Sequence, residues 1–138
     1  MRPMRTARYV IALAVVVQLG CTSPTAPVVT TKKVYGRLSG LVKIGPICPV
    51  EQENNPCPTP PSAYAARKIL VMDEQGTKEL FTVDINSQGA YVIDLVPARY
   101  LIDLKRAGID RTSDLPKVVE IQANSVTTLN VSIDTGLR

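Results

Sequence analysis

Three thiols, several strand-borne carboxylates and no histidine define the chemistry open to this 138-residue chain. Without histidine, the Ser-His-Asp and Cys-His arrangements that activate a nucleophile cannot be assembled. The G-x-S-x-G turn that presents a reactive serine is absent, as are phosphate-cradling glycine loops. Ser39, in Leu38-Ser39-Gly40, stands inside an alternating segment and reads as a solvent-face residue. Paired carboxylates could support glycoside hydrolysis. Asp84, Asp94 and Asp103 are the candidates, but they fall at outward or strand-end positions of separate strands, where cross-strand pairing with Lys105 or Arg99 is the favoured reading. Calcium suits the oxygen ligands of Asp73 and Glu74, yet no ligand spacing accompanies them. The sequence therefore assigns no catalytic residue, no metal and no cofactor.

The thiols point to an address. Arg2, Arg5 and Arg8 precede an apolar run from Tyr9 to Leu19. A membrane-spanning helix needs about 20 apolar residues, so this shorter run behind a basic start reads as an export signal. It ends at Leu19-Gly20-Cys21, which resembles the lipobox of bacterial lipoproteins. That resemblance implies cleavage between Gly20 and Cys21, with a diacylglycerol on the Cys21 thiol and a third, amide-linked chain. Two acyl chains already suffice for stable membrane attachment, so membrane lipid is an expected partner through Cys21. In the Gram-negative pattern an aspartate after the cysteine retains the protein at the inner membrane. Thr22 leans towards the outer membrane. Ordinary secretion, with a cut near Thr25-Ala26, is the alternative.

Export changes how the remaining residues read. Disulfides persist in oxidising compartments, so a Cys48–Cys57 bridge is favoured over free thiols or a zinc site. The formal charge of +4 includes the three signal arginines, leaving thirteen basic against twelve acidic residues. No basic cluster exceeds a pair, which excludes a nucleic-acid surface.

The elements that must carry these groups follow from period-two patterning. Phe81, Val83 and Ile85 alternate with polar residues, then Tyr91, Ile93 and Leu95, then Tyr100, Ile102 and Leu104. Turn residues at 86–89 and 96–99 separate them, which predicts three strands at the centre of one antiparallel sheet. A first strand is expected from Val34 to Ile44, with Val34, Gly36, Leu38, Gly40, Val42 and Ile44 inward and Tyr35 outward. A second runs from Tyr64 to Met72, a third from Lys78 to Ile85, a sixth from Val118 to Ile121 and a seventh from Val126 to Asp134. Residues 106–117 read as a loop. Seven short strands indicate an all-β sandwich.

The expected layout is a signal peptide at 1–20, a lipidated tether at 21–33 and a sandwich domain at 34–138. The sandwich would carry a disulfide-closed loop with six prolines between positions 46 and 61. Tyr35, Pro46, Val50 and Pro58 form the candidate binding surface. Asp134, Gly136 and Arg138 form a candidate terminal lock, with Asp134 accepting a hydrogen bond and Gly136 permitting a bend.

The run Asp84-x-Asn86-Ser87-Gln88-Gly89-x-Tyr91-x-Ile93-x-Leu95, with Pro97-Ala98-Arg99-Tyr100 after it, resembles the signature of carboxypeptidase regulatory-like domains. Ala98 stands where that family has glycine. Gly45-Pro46-Ile47-Cys48-Pro49-Val50 and Asp134-Thr135-Gly136-Leu137-Arg138 resemble segments of small bacterial lipoproteins with the same domain. The resemblance implies a seven-stranded Greek-key sandwich of transthyretin-like type. It also implies a non-enzymatic envelope module, structural or protein-binding. A carbohydrate- or peptidoglycan-binding lipoprotein is the alternative reading, and a hydrolase a remote third.

Overall fold

The structure, a computed structural model, describes residues 32–49 and 57–137. The proposed signal, Cys21, Val50 and Arg138 lie outside the described residues. Among the described residues, eight strands and one short helix follow in order: β1 (Gly36–Gly45), α1 (Pro61–Ala65), β2 (Lys68–Asp73), β3 (Glu79–Asp84), β4 (Ala90–Leu95), β5 (Ala98–Lys105), β6 (Lys117–Ile121), β7 (Val126–Thr128) and β8 (Val131–Asp134). They form two sheets. One is ordered β4-β1-β7, with β8 also on β1, and the other β3-β2-β5-β6. The fold is an all-β sandwich whose core, mostly aliphatic with Tyr64, Tyr91 and Tyr100, lies between the sheets.

The alternation seen in the sequence places most of the faces correctly. Leu38, Val42, Ile44, Ile69, Val71, Tyr91, Leu95, Ile102, Ile121 and Val131 are all buried. Pairing differs from the expectation. The three consecutive strands β3, β4 and β5 do not lie side by side. β4 pairs with β1 in the first sheet, while β3 and β5 flank β2 in the second. The 86–89 turn explains the crossing. Asn86 Oδ1 accepts the Gln88 and Ala90 N–H groups, and the Gly89 carbonyl accepts from Val42 N at 2.7 Å. The turn thus closes on itself and hands the chain to β1. A period-two strand buries one face in either sheet, so its pattern does not choose the neighbour.

Three further corrections have local causes. Tyr64 and Ala65, expected at the start of the second strand, instead belong to a helix that spans Pro61–Ala65. Pro61 sits at the first helical position, where its missing N–H is no loss, and alanines follow. Phe81, expected inward, is 47% exposed because β3 is an edge strand whose register with β2 shifts between Val71 and Met72. Val34, also expected inward, is exposed ahead of the first strand's ladder. At the 96–99 turn Ala98 needs no positive φ and simply starts β5. Tyr100 Oη donates across that turn to the Val96 carbonyl at 2.8 Å, which pins the corner.

The expected seventh strand is split. β7 and β8 both run parallel to β1 in one continuous register, Arg37 opposite Val126 and Val42 opposite Val131. Between them the ladder breaks at Leu129-Asn130. The Asn130 side-chain oxygen accepts the Leu41 N–H at 3.0 Å in place of a backbone carbonyl. The Leu129 carbonyl instead accepts the buried Tyr91 hydroxyl at 2.6 Å. Gly40 makes this crossing possible, since a Cβ there would overlap the Leu129 carbonyl and lie 2.8 Å from Tyr91 Cε1.

The 106–117 loop is tied in by a buried ion pair absent from the sequence reading. Arg67 Nε and Nη2 donate to the two Asp110 oxygens at 2.6 and 2.7 Å, and Nη1 donates to the Ala63 carbonyl at 2.7 Å. The Ala107 N–H completes the carboxylate's shell at 2.9 Å. Burial pushes the Asp110 carboxyl up, but the Arg67 guanidinium, the Ala107 N–H and the nearby Arg106 charge outweigh it and hold it below the ordinary carboxylate range.

Two outcomes follow. Asp110→Ala leaves Arg67 buried and unpaired, so urea unfolding should show a loss of about 3–5 kcal/mol. Because the Asp110 carboxyl titrates lower when folded, its contribution is complete above the unfolded carboxylate pKa of about 3.9. The gap to the variant should therefore narrow as pH falls below that value; a gap independent of pH would refute the assignment. Tyr91→Phe strands the Leu129 carbonyl and should cost about 1–3 kcal/mol. Burial raises the Tyr91 phenol to about 12. Its contribution is complete below the unfolded tyrosine pKa of about 10 and lost as pH rises towards the folded value. Alkaline melts should show this loss in the native chain and a smaller one in Tyr91→Phe.

Candidate functional site

The residues nominated from sequence do not form one surface. Tyr35 precedes β1 and Pro46 follows it, so about 30 Å of extended strand separates them. Tyr35 belongs with the start of β1. Pro46 and Pro58 belong with the far end, beside the Cys48–Cys57 disulfide, whose Cα atoms lie 6.3 Å apart.

The far end is assembled by the last residues of the chain. Thr135 N–H donates to the Gly45 carbonyl at 3.1 Å, and Thr135 Oγ1 donates to the Pro46 carbonyl at 2.5 Å. Asp134 Oδ1 accepts the Gly136 N–H at 2.8 Å, while the Asp134 and Arg111 backbones exchange two 2.8 Å hydrogen bonds. Gly136 has φ +74°, and a Cβ there would lie 2.6 Å from Ile109 Cδ1, so a side chain is doubly disfavoured. Beside this junction lies a cleft of about 690 Å³. Lys43 and Arg111 supply positive charge to it against the one carboxylate of Asp134, and Thr112, Ser113 and Ser132 supply hydroxyls.

A second hollow, of about 620 Å³, lies on the outer face of the β4-β1-β7 sheet. Register sets its floor. Leu41 is opposite Ala90, and Ser39 lies between Val92 and Thr128. Leu41 is 52% and Val92 57% exposed, so two aliphatic side chains flank a small central serine. Asp84, Asn86, Thr128 and Asn130 also line the hollow. Asn86 and Asn130 engage their side-chain oxygens with backbone N–H groups. Their amide nitrogens remain as donors.

The candidate carboxylates are engaged in separate contacts. Asp94 takes a bidentate pair from Arg37, Nε to Oδ1 at 2.7 Å and Nη2 to Oδ2 at 3.0 Å. That hydrogen bonding holds the Asp94 carboxyl below and the Arg37 guanidinium above their ordinary values. Asp84 pairs with Lys68, and Asp103 accepts the Leu104 N–H. The partners are thus not the Lys105 and Arg99 expected from sequence, and Arg99 pairs with Glu74 at 2.7 Å. Asp73 caps its own turn by accepting from the Thr77 hydroxyl and from the Thr77 and Lys78 N–H groups. These hydrogen bonds, the Thr77 hydroxyl foremost, outweigh desolvation and hold the Asp73 carboxyl low. Asp94 lies on one sheet and Asp84 and Asp103 on the other, so these three do not converge on a common bond. The arrangement offers apolar contact and hydrogen bonding on a shallow face. Leu41 and Val92 were legible as apolar residues at outward positions of alternating strands.

No family model matches this chain, and no curated protein matches it. Solved structures do. It is similar to GBS52, the minor pilin of the Gram-positive pathogen Streptococcus agalactiae, with TM-score 0.51 and 13% identity over 73% of this chain and 44% of the pilin. It is also similar to a DUF3823 family protein from Parabacteroides merdae, with TM-score 0.44 and 12% identity over 74% of this chain and 47% of that one. A DUF3823 family protein from Bacteroides ovatus gives TM-score 0.42 and 16% identity, over 70% and 44% of the two chains. The chain spans under half the length of each of these structures. The likeness to the pilin is one of fold.

The disulfide closes a loop with a sequence separation of 9, short enough that the bridge should contribute about 2–3 kcal/mol. The Cys48→Ser/Cys57→Ser double variant should lower the urea midpoint accordingly, with the m-value little changed. An unchanged midpoint would mean that the Thr135 contacts alone hold this end.

Proposed function

We propose that this chain is a lipid-anchored, non-enzymatic module of the bacterial cell envelope that binds another envelope protein through the outer face of the β4-β1-β7 sheet. The observation that carries the reading is the pair of exposed aliphatic side chains, Leu41 and Val92, on a face lined by amides and hydroxyls. Apolar surface at the centre of a polar surround is the composition of a protein-contact patch. The bridge between Cys48 and Cys57 supports export, because disulfides persist outside the reducing cytoplasm. Cys21, behind its basic and apolar leader, supports lipid attachment, and Thr22 the outer membrane of a Gram-negative cell. Counting β7 and β8 as one interrupted strand supports a seven-stranded, transthyretin-like sandwich of the carboxypeptidase regulatory-like type. A minor pilin uses a similar fold, in keeping with a structural or adhesive role.

A second reading, a cell-wall polysaccharide held at the disulfide end, is favoured by the cleft that Lys43 and Arg111 share with three hydroxyls. An anionic glycan would suit those groups.

The address is tested by the intact mass of protein extracted from membranes, with and without reduction. A species starting at Cys21, carrying acyl chains and gaining two hydrogens on reduction, is expected. A soluble species lacking Cys21 would replace anchoring with free secretion. The binding face is tested in living cells with a photo-crosslinking residue at Val92 and, as control, at Lys78. Position 92 should give a discrete protein adduct that Leu41→Lys abolishes. No adduct at 92, with polysaccharide retention lost on Lys43→Glu/Arg111→Glu, would establish the second reading instead.

A further inference from the structure

The outer face of the first sheet changes character towards the start of β1. Four rows of outward positions cross it. Leu41 and Ala90 share one, and Ser39, Val92 and Thr128 the next. Arg37, Asp94 and Val126 form the third. Tyr35 and Val96 lie two residues beyond Arg37 and Asp94, just past the paired ends of β1 and β4, and keep the same parity. The Arg37–Asp94 pair thus separates the Leu41–Val92 hollow from a second apolar group, in which Val126 is 65%, Val96 51% and Tyr35 45% exposed. Lys32 and Lys33 join this group and are also exposed. A shallow groove of about 520 Å³ runs between these lysines, Tyr35 and Val126. Its backbone is fixed: Asn124 N–H donates to the Tyr35 carbonyl at 2.9 Å and Arg37 N–H to the Ser125 carbonyl at 2.8 Å.

Charge selects the occupant. Arg37 and Asp94 neutralise one another, and Asp94 is the only carboxylate lining the groove among the described residues, so Lys32 and Lys33 give the groove its net charge. Position selects it further. Lys32 follows Cys21 by eleven positions, a distance that spans at most about 40 Å fully extended. A tether this short keeps the start of β1 within reach of whatever holds Cys21 and raises the effective concentration of that surface there. Basic residues beside an aromatic ring and aliphatic side chains match the boundary of an anionic bilayer, where ammonium groups meet phosphates and amphipathic rings sit at headgroup depth.

We propose that the patch formed by Lys32, Lys33, Tyr35, Val96 and Val126 docks on the anionic lipid headgroups of the membrane that carries the protein. The inference rests on the lipid-anchor reading and deepens it. Docking stands the sandwich on the start of β1, with the Leu41–Val92 hollow raised above the headgroups and the disulfide end farthest from the membrane. The anchor supplies attachment and the patch supplies orientation.

The test uses protein purified from membranes as the cell makes it, reconstituted in vesicles of phosphatidylcholine alone or with about one-third phosphatidylglycerol. Acetylation rates at Lys32 and Lys33 are read by peptide mass spectrometry, with Lys78 and Lys117 on the other sheet and its flanks as internal controls. Lys32 and Lys33 should react about five- to tenfold more slowly on the phosphatidylglycerol vesicles, and about 0.5 M salt should abolish that protection. Lys78 and Lys117 should not respond. Hydrogen exchange at Val34 to Arg37 should show the same lipid dependence, lost in Lys32→Gln/Lys33→Gln. Equal rates on both vesicles overturn the proposal. Protection that ignores lipid charge but rises with protein density also overturns it, since a second copy then covers the patch. A mass without acyl chains defeats the anchor reading separately; the same labelling with phosphatidylglycerol vesicles added to the soluble chain then decides the patch on its own, lack of protection overturning it.

Discussion

The hydrogen bond from Tyr91 to the Leu129 carbonyl is the contact around which the first sheet is arranged. The phenol passes over Gly40, the residue directly opposite Tyr91 on β1, and reaches the one place where the β7/β8 ladder is broken. Each partner depends on the others. A side chain at position 40 would displace the ring or the carbonyl. Without the ring, the Leu129 carbonyl would lose its buried donor, a costly state in a low-dielectric interior. The Asn130 side chain restores the adjoining link to Leu41. An irregular strand is thereby held in the same register as a regular one.

The same economy of polar groups appears elsewhere. Among the described residues no buried side-chain polar atom lacks a partner. Tyr100 closes the corner before β5, and Arg67 and Asp110 fasten an otherwise irregular loop to the end of the short helix. The buried pair lets a segment without alternation place Leu115 in the core. Such pairs contribute modestly against a hydrophobic alternative, but once formed they fix one arrangement of the loop because either partner alone is strongly disfavoured.

These ties leave the outer face of the first sheet free. It is divided along the strands by the Arg37–Asp94 pair, with an aliphatic hollow on one side and a basic, aromatic-containing patch on the other. The opposite end carries the disulfide, the Thr135 contacts and the cationic cleft. The proposed docking patch and the proposed contact face thus share one sheet, while the carboxylates of Asp94, Asp84, Asp103 and Asp73 are engaged in pairs, a turn and strand-end hydrogen bonds.

The sequence by itself determined the class of the fold, most strand positions, the inward faces and the cysteine pair. Those properties are local or follow from composition: period-two alternation sets a face, proline and glycine interrupt it, and two cysteines left over in an exported chain are expected to pair. Outward Leu41 and Val92 were legible by the same parity. Only the tertiary structure decided that β4 leaves its neighbours for the other sheet, that Tyr35 and Pro46 stand at opposite ends of a strand, and that Phe81 stays exposed at an edge. It alone joined Arg67 to Asp110 across 43 positions and Tyr91 to Leu129 across 38. Strand neighbours and long-range partners are chosen by the summed packing of both sheets. That quantity leaves no periodic trace in the residues that satisfy it.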